Sequence, residues 1–337
     1  MHWLWRIPLA LVAAALLGAA GLWLATRGDY PVAATVGDDP ALPAIDALGL
    51  RLHGRVLGPE GAPLIVVLHG GPGGDHRSLL PLDALADEGW RILFYDQRGA
   101  GLSQRVEIEA LTLQGHLDEL SALADTFSPD APVILIGHSW GAMLASAWLG
   151  RRPDRTAAAV LIEPGFLSAQ GADAFLARMR AAMTTPAMGW AALRSGFEAS
   201  HVSGPDASAA DDYLFARMVE AFANAPGVPY HCPGTAYDSP AWRFGASAGS
   251  AVLAQASRAD LDSLGAVDAF AGPVLLVAGA CDSWLGADLQ RQHAAGFRNA
   301  TLVVIPDAGH DVIDDRPTES LAAIRTFLAT VQEPASP

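Results

Sequence analysis

The sequence contains no lysine. All 21 of its basic residues are arginine, set against 36 acids, and the formal net charge is −15. A chain so short of positive charge cannot lay a basic stripe along phosphates, which argues against nucleic acid as a partner. Anionic lipid would repel it too, so any membrane attachment must come from apolar contact. Charge of either sign is sparse at 17 %, whereas hydrophobic residues make up 51 %, enough for a large buried core. The exclusive use of arginine is a compositional bias, so arginine at any one site carries little functional information. Cysteine is scarce as well. Cys232 and Cys281 form neither a disulfide framework nor a metal-ligand spacing, and a single bridge between them would require an oxidising compartment. No internal repeat is present.

What the chain does have begins with an uncharged run from Ile7 to Thr26. As a helix it would span about 30 Å, the thickness of a bilayer's hydrocarbon core. Trp3, Trp5 and Trp23 flank it where indole rings favour the interface. Residues 1–27 are therefore expected to anchor the protein as a single-pass helix with the catalytic part outside the cytoplasm. The alternative is a signal peptide cleaved near Ala20, which would leave a secreted or periplasmic protein. Residues 28–47, rich in Pro, Asp, Gly and Ala, suggest a tether.

Beyond the tether, short apolar runs alternate with helical stretches. Leu50–Leu57, Leu64–Leu68, Ile92–Tyr95, Val133–Ile136, Ala159–Ile162, Val274–Val277 and Thr301–Ile305 are the strand candidates. Several are continuous and β-branched, as strands covered on both faces should be. Alternation with helices implies a mostly parallel, doubly wound α/β sheet. Residues 48–163 and 271–333 are expected to form this core. Residues 164–270 lack a clear strand and carry helical patches at Ala172–Met183 and Asp211–Ala223, the pattern of a helical cap inserted between two core strands.

The chemistry concentrates at three points. Gly137-His138-Ser139-Trp140-Gly141 follows one strand candidate and precedes a helical run, the strand–turn–helix setting a nucleophile elbow requires. Ser139 is the expected nucleophile. His69-Gly70-Gly71-Pro72-Gly73-Gly74 follows an earlier strand, and its exposed backbone can supply an oxyanion donor. The main-chain N–H groups of Gly71 and Trp140 are assigned to that hole, and His69 to a structural role. Ala308-Gly309-His310 lies late in the chain after the last strand, and His310 is the expected general base. Its acid partner is expected to be Asp282, just after the Val274–Val277 strand, with Glu163 at the end of the preceding strand as the alternative. Asp96 is expected to tie down a turn, while His116, His201, His231 and His293 are expected at the surface or in the cap.

These residues resemble the α/β-hydrolase superfamily. The run from His69 to Gly74, together with Asp96-Gln97-Arg98-Gly99-Ala100-Gly101-Leu102-Ser103, is similar to the proline iminopeptidase group of serine peptidases. The likeness covers Leu50 to Ile162 and Val274 onward, and thins in the cap. It implies release of N-terminal residues from short peptides through an acyl-enzyme, with no metal or organic cofactor. Glu198 and Glu220, in stretches loosely like the family's cap glutamates, are the implied partners of a substrate ammonium. His138 departs from the glycine common there in the peptidases and matches esterases of the same fold. An esterase with the same triad is thus one rival, and a non-catalytic ligand-binding protein on the same fold is another. Haloalkane or epoxide chemistry is disfavoured, since those relatives carry Asp where Ser139 stands.

Overall fold

Continuous apolar strands need cover on both faces, and the chain supplies it by winding helices over each side of one sheet. The computed structural model describes residues 6–237 and 241–332. Its strands are β1 (Ala44–Ala47), β2 (Leu50–Leu57), β3 (Leu64–Leu68), β4 (Arg91–Tyr95), β5 (Val133–His138), β6 (Thr156–Ile162), β7 (Val274–Gly279) and β8 (Ala300–Ile305). They lie in the order β1-β2-β4-β3-β5-β6-β7-β8. The β1–β2 and β2–β4 pairs are antiparallel, and every other pair is parallel. All seven expected strands are present. β1 was not expected; it pairs with β2 at the sheet edge, within the segment taken for a tether. Further upstream, Val36 is buried and donates its N–H to the Leu102 carbonyl at 2.8 Å, and Arg243 Nη1 holds the Ala33 carbonyl at 2.8 Å. The polar composition of this segment indicated a free linker, but its backbone groups find partners on the body instead.

The helices are α1 (Arg6–Ala25), α2 (Leu113–Phe127), α3 (Trp140–Arg151), α4 (Ala169–Met183), α5 (Pro186–Ala199), α6 (Ala209–Ala223), α7 (Ala246–Gln255), α8 (Arg258–Ser263), α9 (Ala287–Ala294), α10 (Val312–Asp315) and α11 (Pro317–Gln332). Alternation along β3 divides its side chains between the two layers: Leu64, Val66 and Leu68 join a cluster with α2 and α3, while Ile65 and Val67 join one with α11 and the 3₁₀ segment His76–Glu88. α4 to α8 run between β6 and β7, where the strand rhythm breaks in the sequence. α5 was not foreseen, because Gly189 and Gly196 dilute its pattern; Thr185 caps it by accepting the Met188 N–H, and Pro186 opens its first turn.

The helical insertion is clamped to the core by buried charge. Asp212, in the first turn of α6, accepts from Arg105 of the core at 2.8 Å and from Arg243 at 2.7 Å, and Arg243 also reaches Asp206 at 2.6 Å. Each buried carboxylate is answered by a guanidinium, which offsets the cost of taking the charges out of water. At the other end of the chain, α1 carries an apolar span, Pro8–Ala25, none of which is buried. Trp3 and Trp5 lie outside the described residues.

Candidate active site

The candidate groups arise where parallel strands end. Ser139 sits between β5 and α3 with φ 52° and ψ −115°, a conformation that few non-glycine residues adopt. The flanking glycines are required by close approach: a Cβ at Gly137 would collide with the Gly141 carbonyl, and one at Gly141 with the Leu68 carbonyl of β3. The turn is therefore pressed between its own helix and the neighbouring strand, with the serine at its apex. As the first residue of α3, Trp140 has a backbone N–H outside the intrahelical ladder. Its indole N–H is taken by the Gln97 side chain at 2.9 Å, which fixes the ring. Gly71, at φ 122°, follows β3, and Ser139, Trp140, Gly71 and His310 all line one cavity of about 500 Å³.

His310 follows β8. Its Nδ1 donates to Glu163 Oε2 at 2.8 Å and stands 3.5 Å from Asp282 Oδ2. The two candidate acids thus reach the same nitrogen, and the hydrogen bond belongs to Glu163 at the end of β6. The sequence-based preference was for Asp282, but its Oδ1 is engaged by the N–H groups of Trp284 and Leu285, and its Oδ2 has no hydrogen-bond partner among the described residues. The remaining Glu163 oxygen accepts the Gly279 N–H at 2.6 Å. Burial alone would drive the imidazole pKa down, but the carboxylates of Asp282 and Glu163 outweigh it and hold it up at about 10. Burial, with Asp282 adding to it, pushes Glu163 up to about 8 in spite of His310. The cluster could also be drawn as a ligand set for a metal, as could His53, His76 and Asp96. In the second group each imidazole presents Nδ1 to one Asp96 oxygen, at 2.8 Å and 2.6 Å, and the Leu102 N–H adds a further bond. Asp96 thereby ties down its turn, as expected.

Several supporting residues were not legible beforehand. Tyr230, in the loop after α6, stacks on the His310 ring at 4.7 Å, and its carbonyl accepts the His310 backbone N–H at 2.7 Å. Two residues on, Cys232 is bonded to Cys281, which directly precedes Asp282. The bridge left open by composition thus joins the cap loop to the acid loop. His138 donates Nε2 to the His310 carbonyl at 2.9 Å, and burial lowers its pKa to about 3, so it holds the loop as a neutral ring. His69 is structural, as expected: its Nε2 accepts the Gln97 N–H at 2.9 Å. His116, expected at the surface, is instead buried beneath Trp140, and burial lowers its pKa to about 4.

The cap glutamates are the clearest departure from expectation. Glu198 is buried and bound by Arg194 at 2.9 Å and by the Tyr213 hydroxyl at 3.1 Å, and Glu220 pairs with Arg217. Neither lines the cavity. Their arginines sit on the same or the adjacent helix, so local pairing claims carboxylates that the resemblance assigned to substrate. The wall is apolar instead, with Phe166, Phe175, Met179, Phe215, Met218 and Phe244 prominent. Asp75 and Asp311 are the carboxylates on it among the described residues. Asp75 is engaged by the Arg77, Trp242 and Arg243 N–H groups, and burial raises it to about 8.

Comparison with known proteins agrees with this fold. The sequence profile of the alpha/beta hydrolase fold matches residues 63–317. The chain belongs to the alpha/beta hydrolase family. A proline iminopeptidase of Thermoplasma volcanium is 42 % identical over 84 residues, 25 % of this chain and 28 % of that protein. Epoxide hydrolase B of Mycobacterium tuberculosis is 30 % identical over 125 residues, 36 % of this chain and 35 % of the relative. Each alignment therefore spans only a minor part of the relative's length. Among solved structures, the proline iminopeptidase of Mycobacterium smegmatis superposes with a TM-score of 0.55 at 24 % identity, over 86 % of this chain and 98 % of the other. At that identity the likeness speaks for the fold of this α/β hydrolase alone.

Proposed function

We propose that this α/β hydrolase is a serine hydrolase that cleaves carboxylic esters of apolar acyl groups through an acyl-enzyme. The observation that carries this reading is the shared apolar cavity onto which Ser139, His310, Gly71 and Trp140 all open. With Nδ1 given to carboxylate, His310 keeps Nε2 for the serine. It takes the Ser139 proton as Oγ attacks the acyl carbon, and the N–H groups of Gly71 and Trp140 hold the oxyanion. Collapse breaks the bond to the leaving oxygen, which receives the proton from His310. Water then repeats the sequence and releases the acid. Glu163 orients the imidazole, Asp282 adds negative charge beside it, and neither step calls for a metal.

A second reading, aminopeptidase, is favoured by the names of the relatives. Glu198 and Glu220 are spent on arginines, so recognition of the substrate amine would fall to Asp311 on the cavity wall. Paired assays separate the two. Ester hydrolysis with equal, low activity on free-amine and N-acetylated prolyl arylamides supports the esterase; strong preference for the free amine overturns it. Fluorophosphonate labelling that is lost in Ser139→Ala tests the serine chemistry itself.

The same proposal places the protein at a membrane, anchored by α1, with its catalytic part outside the cytoplasm. The Cys232–Cys281 bridge supports an oxidising compartment. Retention of the full chain on carbonate-washed membranes supports the anchor, and recovery of a mature chain starting near Gly21 overturns it.

A further inference from the structure

The apolar helix does not leave the protein through a free linker. Its last turn is built into the cap. The Trp23 ring lies 4.8 Å from that of His201, just beyond α5, and His201 Nε2 donates to the Trp23 carbonyl at 2.9 Å. Tyr30 hydrogen-bonds the Thr26 carbonyl at 2.5 Å and packs on Tyr213 of α6 at 5.2 Å. Arg27 lies over the Trp23 ring at 4.4 Å. A bilayer spanned by α1 would therefore meet the cap.

The helices it would meet carry two further features. Met183, at the end of α4, and Trp190 and Leu193, one turn apart on α5, are 37 %, 57 % and 49 % exposed, large apolar side chains that water-facing helices have little reason to present. Between Asp173 and Glu198 the chain carries Arg178, Arg180 and Arg194 and no acid, although acids outnumber bases 36 to 21 overall. An apolar surface edged by arginine suits the boundary where acyl chains meet lipid phosphates. Met183 belongs both to this exposed set and to the cavity wall, which Leu176, Met179 and Arg180 of the same helix also line.

We propose that the α4–α5 segment docks on the bilayer spanned by α1, and that the cavity receives its acyl ester directly from the lipid phase. The substrate class is then an amphiphile with an aliphatic acyl chain, too apolar to arrive through water. This deepens the esterase reading and rests on it and on the anchor. Met183 stands at the mouth, the phenylalanines and methionines take the chain, and the ester carbonyl reaches Ser139.

The test uses the full-length protein in phosphatidylcholine vesicles. A Trp190→Glu, Leu193→Glu double variant alters side chains that are exposed and do not line the cavity. Its kcat/KM on p-nitrophenyl palmitate dissolved in the vesicles should fall by at least about tenfold, the order expected from losing one buried apolar side chain at the interface. On p-nitrophenyl acetate supplied from water it should stay within about twofold. Unchanged palmitate hydrolysis in the variant overturns the proposal. Independently of activity, the emission lost in Trp190→Phe should be quenched by brominated phosphatidylcholine, and quenching by aqueous iodide instead overturns the docked face. Carbonate extraction of the same vesicles and fluorophosphonate labelling of Ser139 read the anchor and the hydrolase separately, so failure of either is distinguishable from failure of the docking.

Discussion

The floor and the roof of the cavity are built on different principles. The floor is the carboxyl edge of the sheet, where β3, β5, β6, β7 and β8 each deliver a candidate group within a residue or a few of their ends: Gly71, Ser139, Glu163, Asp282 and His310. The backbone dictates these positions, through the strained turn at Ser139 and the glycines beside it that admit no Cβ. The roof is a set of helices whose contribution is apolar bulk, and no titratable side chain of α4 to α8 except Arg180 lines the cavity among the described residues. The candidate groups are therefore placed by backbone geometry, and the shape of the cavity by side-chain volume.

Variants that break this contrast should show it as a scale of effects. Ser139→Ala should lower kcat on an acyl ester by about a millionfold, the loss typical when a triad acts as a unit, and should abolish fluorophosphonate labelling. Glu163→Gln removes the carboxylate that accepts from His310 Nδ1 and should cost about a thousandfold to ten-thousandfold in kcat. If Asp282→Asn costs that much and Glu163→Gln little, the roles are exchanged.

A subtler effect is expected of Asp282→Asn. A general base works only without its proton, and the two carboxylates hold His310 up at about 10, so on the proposed mechanism kcat/KM should rise with pH through a midpoint well above that of an ordinary imidazole. Removing one negative neighbour lowers that pKa and should move the acidic limb to lower pH, with the plateau changed by no more than about tenfold. An unmoved limb would show that Asp282 serves only its own loop. On the roof, Phe215→Ala should raise KM for an octanoyl ester by about tenfold and leave acetyl ester hydrolysis almost unchanged. The smallest effect is expected at Glu198→Gln. KM should change by less than about twofold for any substrate, while stability falls in denaturant titration, because the buried Glu198 carboxylate loses its charge-assisted bonds to Arg194 and Tyr213.

The same contrast explains what could be read in advance. Apart from β2, which carries Arg51, His53 and Arg55, the core strands are largely apolar runs that hydrophobic pattern located, and the strict spacing around Ser139 and after β8 marked the serine and His310. The cap offered no such constraint. Apolar helix faces tolerate many sequences, so Phe175, Met179, Phe215 and Met218 carry no local sign that they line a cavity. A family likeness in that region pointed to Glu198 and Glu220, and the structure pairs them with Arg194 and Arg217.

By itself the sequence determined the sheet, the elbow, the histidine and the apolar N-terminal helix, because each depends on local periodicity or on backbone conformations that few residues adopt. Tertiary structure alone decided what depends on distance between remote segments. It placed Glu163 rather than Asp282 in hydrogen bond with His310, although the two acids are 119 residues apart in the chain (282 − 163) and meet at one nitrogen. It brought Tyr230 onto the His310 imidazole, joined Cys232 to Cys281, and seated the last turn of α1 on the cap. No spacing rule encodes these contacts, since each is set by how whole elements pack and not by the residues that make it.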